Sequence, residues 1–434
     1  MPAYIQLLDL WKSRMRTLLM LCISIACLNN YVAEGAELTK GFQPQVQVGQ
    51  PTRLDWTFAL SNQSLAEPPA DWLKQGGLKD YDSTKQSYQL FIPNSYRVGK
   101  PLPLILFFSA SDKPSGWTAW KQTCESQGVA FAGLVDAGNN CPTPRRIRIA
   151  LDVLDDVRRK CPIDADRTYT SGFSGGGRMA CLLAFSLPEL FGGTVPLCAS
   201  GDLREEPWRQ QRVMDRLSVA LMTGENDFNR GEVQRYRGPL LEGLGVRTKV
   251  WVTPGLGHGQ PPPAALLEAY RWLEEGAASR QRLAKLYPAS QLTGQQALTR
   301  QEAAAQLLAE ARERIKKPET LHSGLMQLMG VRVRWADLPA SAEATKILLE
   351  FDARPDHPWE ADDIALQRRT LIAQARATDS YADGPFPKQY AAERPQVIQA
   401  ALNLWQQVLA DGQDAKAVEQ AKQRIPILEK MQAE

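Results

Sequence analysis

Asp166-Arg167-Thr168-Tyr169-Thr170-Ser171-Gly172-Phe173-Ser174-Gly175-Gly176-Gly177-Arg178-Met179-Ala180 is the stretch on which the reading of this chain turns. Residues 168–171 have the make-up of a short strand, and a helical pattern begins at Gly176. Between them, Gly172-Phe173-Ser174-Gly175-Gly176 fits Gly-x-Ser-x-Gly, a sharp turn that lifts a serine hydroxyl to the C-terminal edge of a sheet. The turn strains the serine backbone, and glycines two before and two after it remove side chains that would collide there. The following helix aims N–H groups and the positive end of its dipole at the same point, which favours a developing negative charge. Ser174 is therefore the expected nucleophile.

A serine hydroxyl is a poor nucleophile until a base takes its proton, and the chain has only three histidines. His322 and His357 fall far downstream in a helix-rich part. His258, in Pro254-Gly255-Leu256-Gly257-His258-Gly259, follows a strand-like run at 248–252, and flanking glycines suit a loop that turns its side chain inward. The third group should be a carboxylate that fixes the imidazole tautomer. Asp227, in the turn after Leu221-Met222-Thr223-Gly224, is the first choice; Glu225 and Asp202 compete with it. The order serine, aspartate, histidine is that of an α/β-hydrolase.

Working outward, short apolar runs at 88–92, 102–108, 129–135, 168–171, 193–197, 218–222 and 248–252 alternate with helical patterns such as 146–160, 176–186 and 263–273. This alternation predicts a mostly parallel sheet covered by helices on both faces. Past Gly276 the strand signal stops. Thr299-Arg300-Gln301-Glu302 has the form of a capping box and opens a helix to about residue 317; further helices are expected near 340–351, 360–377, 395–410 and 415–432. The resulting division is a signal peptide over 1–36, an extended segment over 37–84, an α/β domain over 85–276 and an all-helical domain over 277–434. Trp56 and Trp72 are the large anchors of the extended segment.

Residues 86–276 resemble the α/β-hydrolase superfamily, and within it the secreted polyhydroxybutyrate depolymerase and feruloyl-esterase-like branch. Asp164 to Gly177 match that branch's D-x-x-R-x-Y-x-x-G-x-S-x-G-G pattern, and Pro188-Glu189-Leu190-Phe191-Gly192-Gly193 is similar to its P-E-x-F-A-A stretch. The resemblance implies ester hydrolysis through an acyl-enzyme on Ser174, His258 and Asp227, with no metal or organic cofactor. It also implies an oxyanion hole built from the backbone N–H groups of Ser111 and Gly175. Here the sequence departs from the family: Ser109-Ala110-Ser111 stands where His-Gly and the donor residue are usual. Backbone donors need no particular side chain, but Ala110 is less free than glycine to make the turn. A serine peptidase on the same triad, and a hydrolase-fold binding protein without catalysis, are the competing readings. Trp117 and Trp120 fit either a substrate mouth or packing at the sheet edge.

Lys12, Arg14 and Arg16 precede an apolar run at 18–28 and small residues at 33–36, the grammar of a signal peptide, so a secreted or periplasmic protein is expected, with membrane anchoring left open. The apolar run would span roughly 16 Å as a helix, too short for a ~30 Å hydrocarbon core, and no transmembrane span is expected elsewhere. Lys+Arg 51 against Asp+Glu 48 leaves +3, which predicts no nucleic-acid partner. The ligand is then a small-molecule or polymeric ester, with a protein or surface partner left open for the helical domain. Beyond Cys22 and Cys27 lie Cys124, Cys141, Cys161, Cys181 and Cys198, expected as buried thiols or with one disulfide among them. A helix between Cys141 and Cys161 would hold that pair ~24 Å apart, so the two should not bond. No spacing suggests a zinc site.

Overall fold

β3 (Leu102–Phe108) is buried along its whole length, which is why its sequence is apolar without alternation: it lies inside an eight-stranded sheet covered on both faces. Across the sheet the order is β1 (Gly41–Gln47), β2 (Ser87–Ile92), β4 (Ala130–Leu134), β3, β5 (Ile163–Phe173), β6 (Gly193–Leu197), β7 (Ser218–Gly224) and β8 (Arg247–Thr253). β2 runs antiparallel to both β1 and β4, and all other neighbours are parallel. The computed structural model describes residues 38–55, 58, 78, 80–287 and 298–433. The expected signal peptide, Trp56 and Trp72 lie outside the described residues.

The connections carry α1 (Gly116–Gln127), α2 (Thr143–Lys160), α3 (Gly175–Ser186), α4 (Pro207–Arg216), a π-helical stretch at Gly231–Arg237, α5 (Gly238–Leu244) and α6 (Pro263–Glu275), with α7 (Ala277–Leu286) after it. Trp120 and Cys124 of α1 and Leu266 and Tyr270 of α6 pack with Phe107, Tyr169 and Met222 on one face of the sheet. On the opposite face the Thr170 hydroxyl donates to the Ala180 carbonyl of α3 at 2.9 Å. Every parallel strand expected from the sequence is present. β1 is an addition from the segment read as extended: Pro44 sits where the β1–β2 register shifts between Gln43 and Val46, an edge position that tolerates a residue without an N–H. Trp117 stacks on Phe42 of this strand at 4.6 Å and Trp120 is fully buried, so both pack in the body of the fold.

Six helices follow among the described residues: α8 (Arg300–Arg314), α9 (Leu321–Arg334), α10 (Pro339–Asp352), α11 (Glu360–Asp383), α12 (Arg394–Asp411) and α13 (Ala415–Ala433). The capping box at Thr299 and Glu302 is formed. α8 to α10 close around Leu307, Leu328 and Trp335, and α11 to α13 around Ala375, Trp405 and Leu428. α9 was not expected, because Gly324 and Gly330 dilute its helical signal; Gly330 lies against the Trp208 ring, where a Cβ would come within 3.1 Å.

Buried charge ties these helices to the sheet region. Glu189, just after α3, is fully buried between Arg334 of α9 and Arg212 of α4, the latter at 3.2 Å. Burial alone would raise its carboxyl, but the two guanidiniums outweigh it and hold the group below the usual range. Such a pair is weak evidence of net stabilisation, yet removing one partner strands the others at a cost of about 3–5 kcal/mol. Trp335 Nε1 also donates to Asp55 Oδ2 at 3.0 Å. Cys124, Cys161, Cys181 and Cys198 are buried free thiols; Cys141 is free as well but only half-buried, because it sits ahead of α2. Among the described residues, no helix is long and apolar enough to cross a membrane.

Candidate active site

Ser174 stands between the end of β5 and the first residue of α3, with φ +54° and ψ −122°, a conformation an L-residue adopts at a cost of roughly 1–3 kcal/mol. The turn is tight because α3 folds straight back onto the strand. A Cβ on Gly172 would fall 2.4 Å from the Gly176 carbonyl oxygen, and one on Gly176 would fall 2.2 Å from that of Phe108. The strained turn is pinned by the Ser174 N–H, which donates to the Leu197 carbonyl at 2.9 Å. Both glycines of the motif are therefore steric requirements.

The structure brings the three widely separated residues together. Ser174 Oγ lies 3.0 Å from His258 Nε2, and His258 Nδ1 lies 2.8 Å from Asp227 Oδ1. With Nδ1–H donating to the carboxylate, the Nε2 lone pair is left to accept the serine proton. Asp227 is held in turn: its Oδ2 accepts from the Thr223 hydroxyl at 2.7 Å and its Oδ1 from the Asn229 N–H at 3.0 Å. The Asp227 side chain is fully buried, while the imidazole keeps 21% of its surface exposed. Phe228 stacks on the imidazole at 4.2 Å, and Phe173 lies at 5.1 Å. Thr223, Asn229 and Phe228 carry no motif that would mark them in the sequence, and Phe173 fills a position that the Gly-x-Ser-x-Gly motif leaves unspecified.

The competing carboxylates are engaged elsewhere. Glu225 Oε2 accepts from the Gly255 N–H at 2.8 Å, bracing the loop that carries His258, and Asp202 pairs with Arg237 at 2.6 Å. His322 bonds to Asp363 at 2.9 Å and His357 packs on Trp359, both among the C-terminal helices. Cys198, with φ +53°, lies beside the triad; its thiol donates to the Gly259 carbonyl at 3.0 Å, and burial, aided by Asp227, pushes it up to about 12. The donor atoms of Cys198, Asp227 and His258 lie within 4.8 Å of one another. Each of the three is already hydrogen-bonded, which accounts for the cluster without a metal.

The 109–112 loop, where the sequence departs from the family, is clamped by the turn after β4. Asn139 N–H donates to the Ala110 carbonyl at 2.8 Å, Asp136 N–H to the Asp112 carbonyl at 3.0 Å, and Gly138 N–H to Asp112 Oδ1 at 3.1 Å. Ser109 is buried, and its Oγ accepts from the Ser115 N–H at 2.9 Å. Gly175 opens α3, where a helical N–H has no partner within the helix.

This strand order, with β2 antiparallel and a serine on the turn after β5, defines the α/β-hydrolase fold, and the Ser-His-Asp geometry gives it the form of a serine hydrolase. No known family's sequence profile matches the chain. The chain is similar to "Putative esterase NocK" of Nocardia uniformis subsp. tsuyamanensis, 27% identical over 212 residues that cover 44% of this chain and 56% of that protein. The chain thus spans little more than half the length of this relative. Among solved structures it is similar to the S-formylglutathione hydrolase of Staphylococcus aureus, with 18% identity, 45% of this chain and 94% of that one covered, and a TM-score of 0.34. It is also similar to Est1E of Butyrivibrio proteoclasticus, with 15% identity, 46% and 96% covered, and a TM-score of 0.34. The fold assignment rests on the strand order; likenesses of this size carry nothing about substrate.

Proposed function

We propose that the chain is an exported serine esterase. The reading rests on one observation, the unbroken line from the Ser174 hydroxyl through His258 to Asp227 at 3.0 and 2.8 Å. Ser174 Oγ attacks the acyl carbonyl as His258 Nε2 takes its proton, and Asp227 stabilises the imidazolium that forms. The Ser111 and Gly175 N–H groups hold the oxyanion. Collapse of the tetrahedral intermediate expels the alcohol, which takes the proton back from Nε2. Water then repeats the sequence on the acyl-enzyme and releases the acid.

A fluorophosphonate probe should label the protein on the peptide carrying Ser174, read by mass spectrometry of a digest. Absence of labelling would favour the non-catalytic hydrolase-fold reading, and labelling on another serine would remove Ser174 as the nucleophile. Export is supported by the charged, apolar and small-residue pattern of the first 36 residues. The mature protein recovered from the producing cell's envelope or medium should begin beyond that segment; an intact N-terminus retained in the cytoplasm would refute it.

A further inference from the structure

A cleft of about 530 Å³ opens beside the triad, and one of its walls comes from the C-terminal helices. Its lining includes Asp227 and Phe228, whose ring stacks on the His258 imidazole. The near wall carries Arg230 and Arg235, the latter on the π-helical stretch, and the far wall is the link between α11 and α12, with Phe386 and Lys388. A π-helical turn is a common sign of a functional site, since it re-aims side chains that an α-helix would turn away.

The far wall is fastened in place. Arg235 Nη2 donates to the Pro385 carbonyl at 2.6 Å, and its guanidinium lies 5.8 Å from the centre of the Tyr381 ring. Close approach there requires glycine: a Cβ on Gly384 would fall 0.7 Å from Arg235 Nη1. That Nη1 is buried with no hydrogen-bond partner among the described residues.

The charges in the cleft do not cancel. Glu225 accepts from the Gly255 N–H and Asp227 from His258 Nδ1, and both carboxylates keep their charge. Of the neighbouring acids, Glu232 is held by Arg178 through two bonds of 2.7 Å and Asp383 by Arg424 at 3.3 Å. Set against Glu225 and Asp227, the cations Arg230, Arg235 and Lys388 leave the lining with one net positive charge, lying between the Phe228 and Phe386 rings. A neutral ester would gain only apolar contact here, whereas one carrying a negative charge would also gain attraction in a partly walled site, where water screens less.

We infer that this cleft selects esters bearing a carboxylate, with the apolar part lying along Phe228 and Phe386 and the carboxylate meeting Arg230, Arg235 and Lys388. The inference rests on the esterase reading and assigns the C-terminal helices a role in substrate choice. The carboxylate can belong to the acyl or to the alcohol half, and two matched pairs of esters separate these: p-nitrophenyl hemisuccinate against p-nitrophenyl butyrate, and 4-butyryloxybenzoate against its methyl ester.

With the full chain, the charged member of at least one pair should be favoured in kcat/KM by about 2- to 5-fold, the range expected for a partly screened ion pair. Lys388→Glu and Arg230→Gln should each lower kcat/KM for the charged ester more than for its neutral partner, and salt at about 0.5 M should shrink the preference. Gly384→Ala, which pushes Arg235 off the link, should act in the same direction. Equal or greater turnover of the neutral member in both pairs, or a preference untouched by Lys388→Glu, would overturn the inference while leaving the esterase standing. If no ester is turned over and the fluorophosphonate fails to react, the esterase reading falls and takes this one with it.

Discussion

Ser174→Ala should lower kcat on a neutral p-nitrophenyl ester by about 10⁶-fold, the scale seen when the nucleophile of such a triad is removed. The size of the effect follows from the geometry. Without Oγ there is no acyl-enzyme, and His258 faces a methyl group 84 positions away in sequence but in contact in space. Some catalysis over water persists, because backbone donors and substrate binding do not depend on the hydroxyl. Stability should change little: the positive φ at residue 174 is costly because of Cβ, which alanine keeps, and the pinning bond from its N–H to Leu197 is untouched. Kinetics and a thermal midpoint on the same preparation test both halves. A loss below about 10²-fold with an unchanged midpoint would show that another group is the nucleophile.

How much of this could be read from the sequence depends on how local each feature is. The turn at Ser174 is legible because its steric demands fall on residues two before and two after it, so the glycines stand next to the serine they serve. His258 is legible by elimination, the chain offering no other histidine in the α/β part. The sequence puts Asp227 first but leaves Glu225 and Asp202 in competition with it, since all three follow strands on the same rim. The competition is resolved in three dimensions, by Thr223 and Asn229 donating to Asp227 while Gly255 and Arg237 occupy the other two. β1 escaped because an edge strand with Pro44 and three glutamines shows no apolar run. The wall of the cleft escaped for a different reason: Arg235 and Pro385 are 150 residues apart, and Gly384 looks in sequence like an ordinary helix terminator. Only its contact with a guanidinium shows that the glycine is needed for packing as well.

Asp227→Ala should cost about 10⁴-fold in kcat, less than loss of the serine, because the imidazole keeps its contact with Oγ but loses its orienting partner. Asp227→Asn is the more informative change. An asparagine in this role ordinarily costs about 10⁴-fold, because its N–H₂ faces the imidazole and forces the wrong tautomer. The surroundings of Asp227 oppose that orientation. Oδ1 accepts from both His258 Nδ1 and the Asn229 backbone N–H, a group that can only donate, whereas Oδ2 faces the Thr223 hydroxyl, which can donate or accept. The amide oxygen therefore belongs at the Oδ1 position and its NH₂ at Oδ2, where the Thr223 hydroxyl rotates to accept. The productive tautomer survives, and the variant loses the negative charge that stabilises the imidazolium while keeping its alignment. Its kcat should exceed that of Asp227→Ala by about tenfold or more, one hydrogen bond to a charged group being worth roughly 1.5–3 kcal/mol. Adding Thr223→Val to Asp227→Asn removes the acceptor for the NH₂ and should erase most of that advantage. If Asp227→Asn is no better than Asp227→Ala, the amide has entered the other way round, and the Asn229 N–H does not set its orientation.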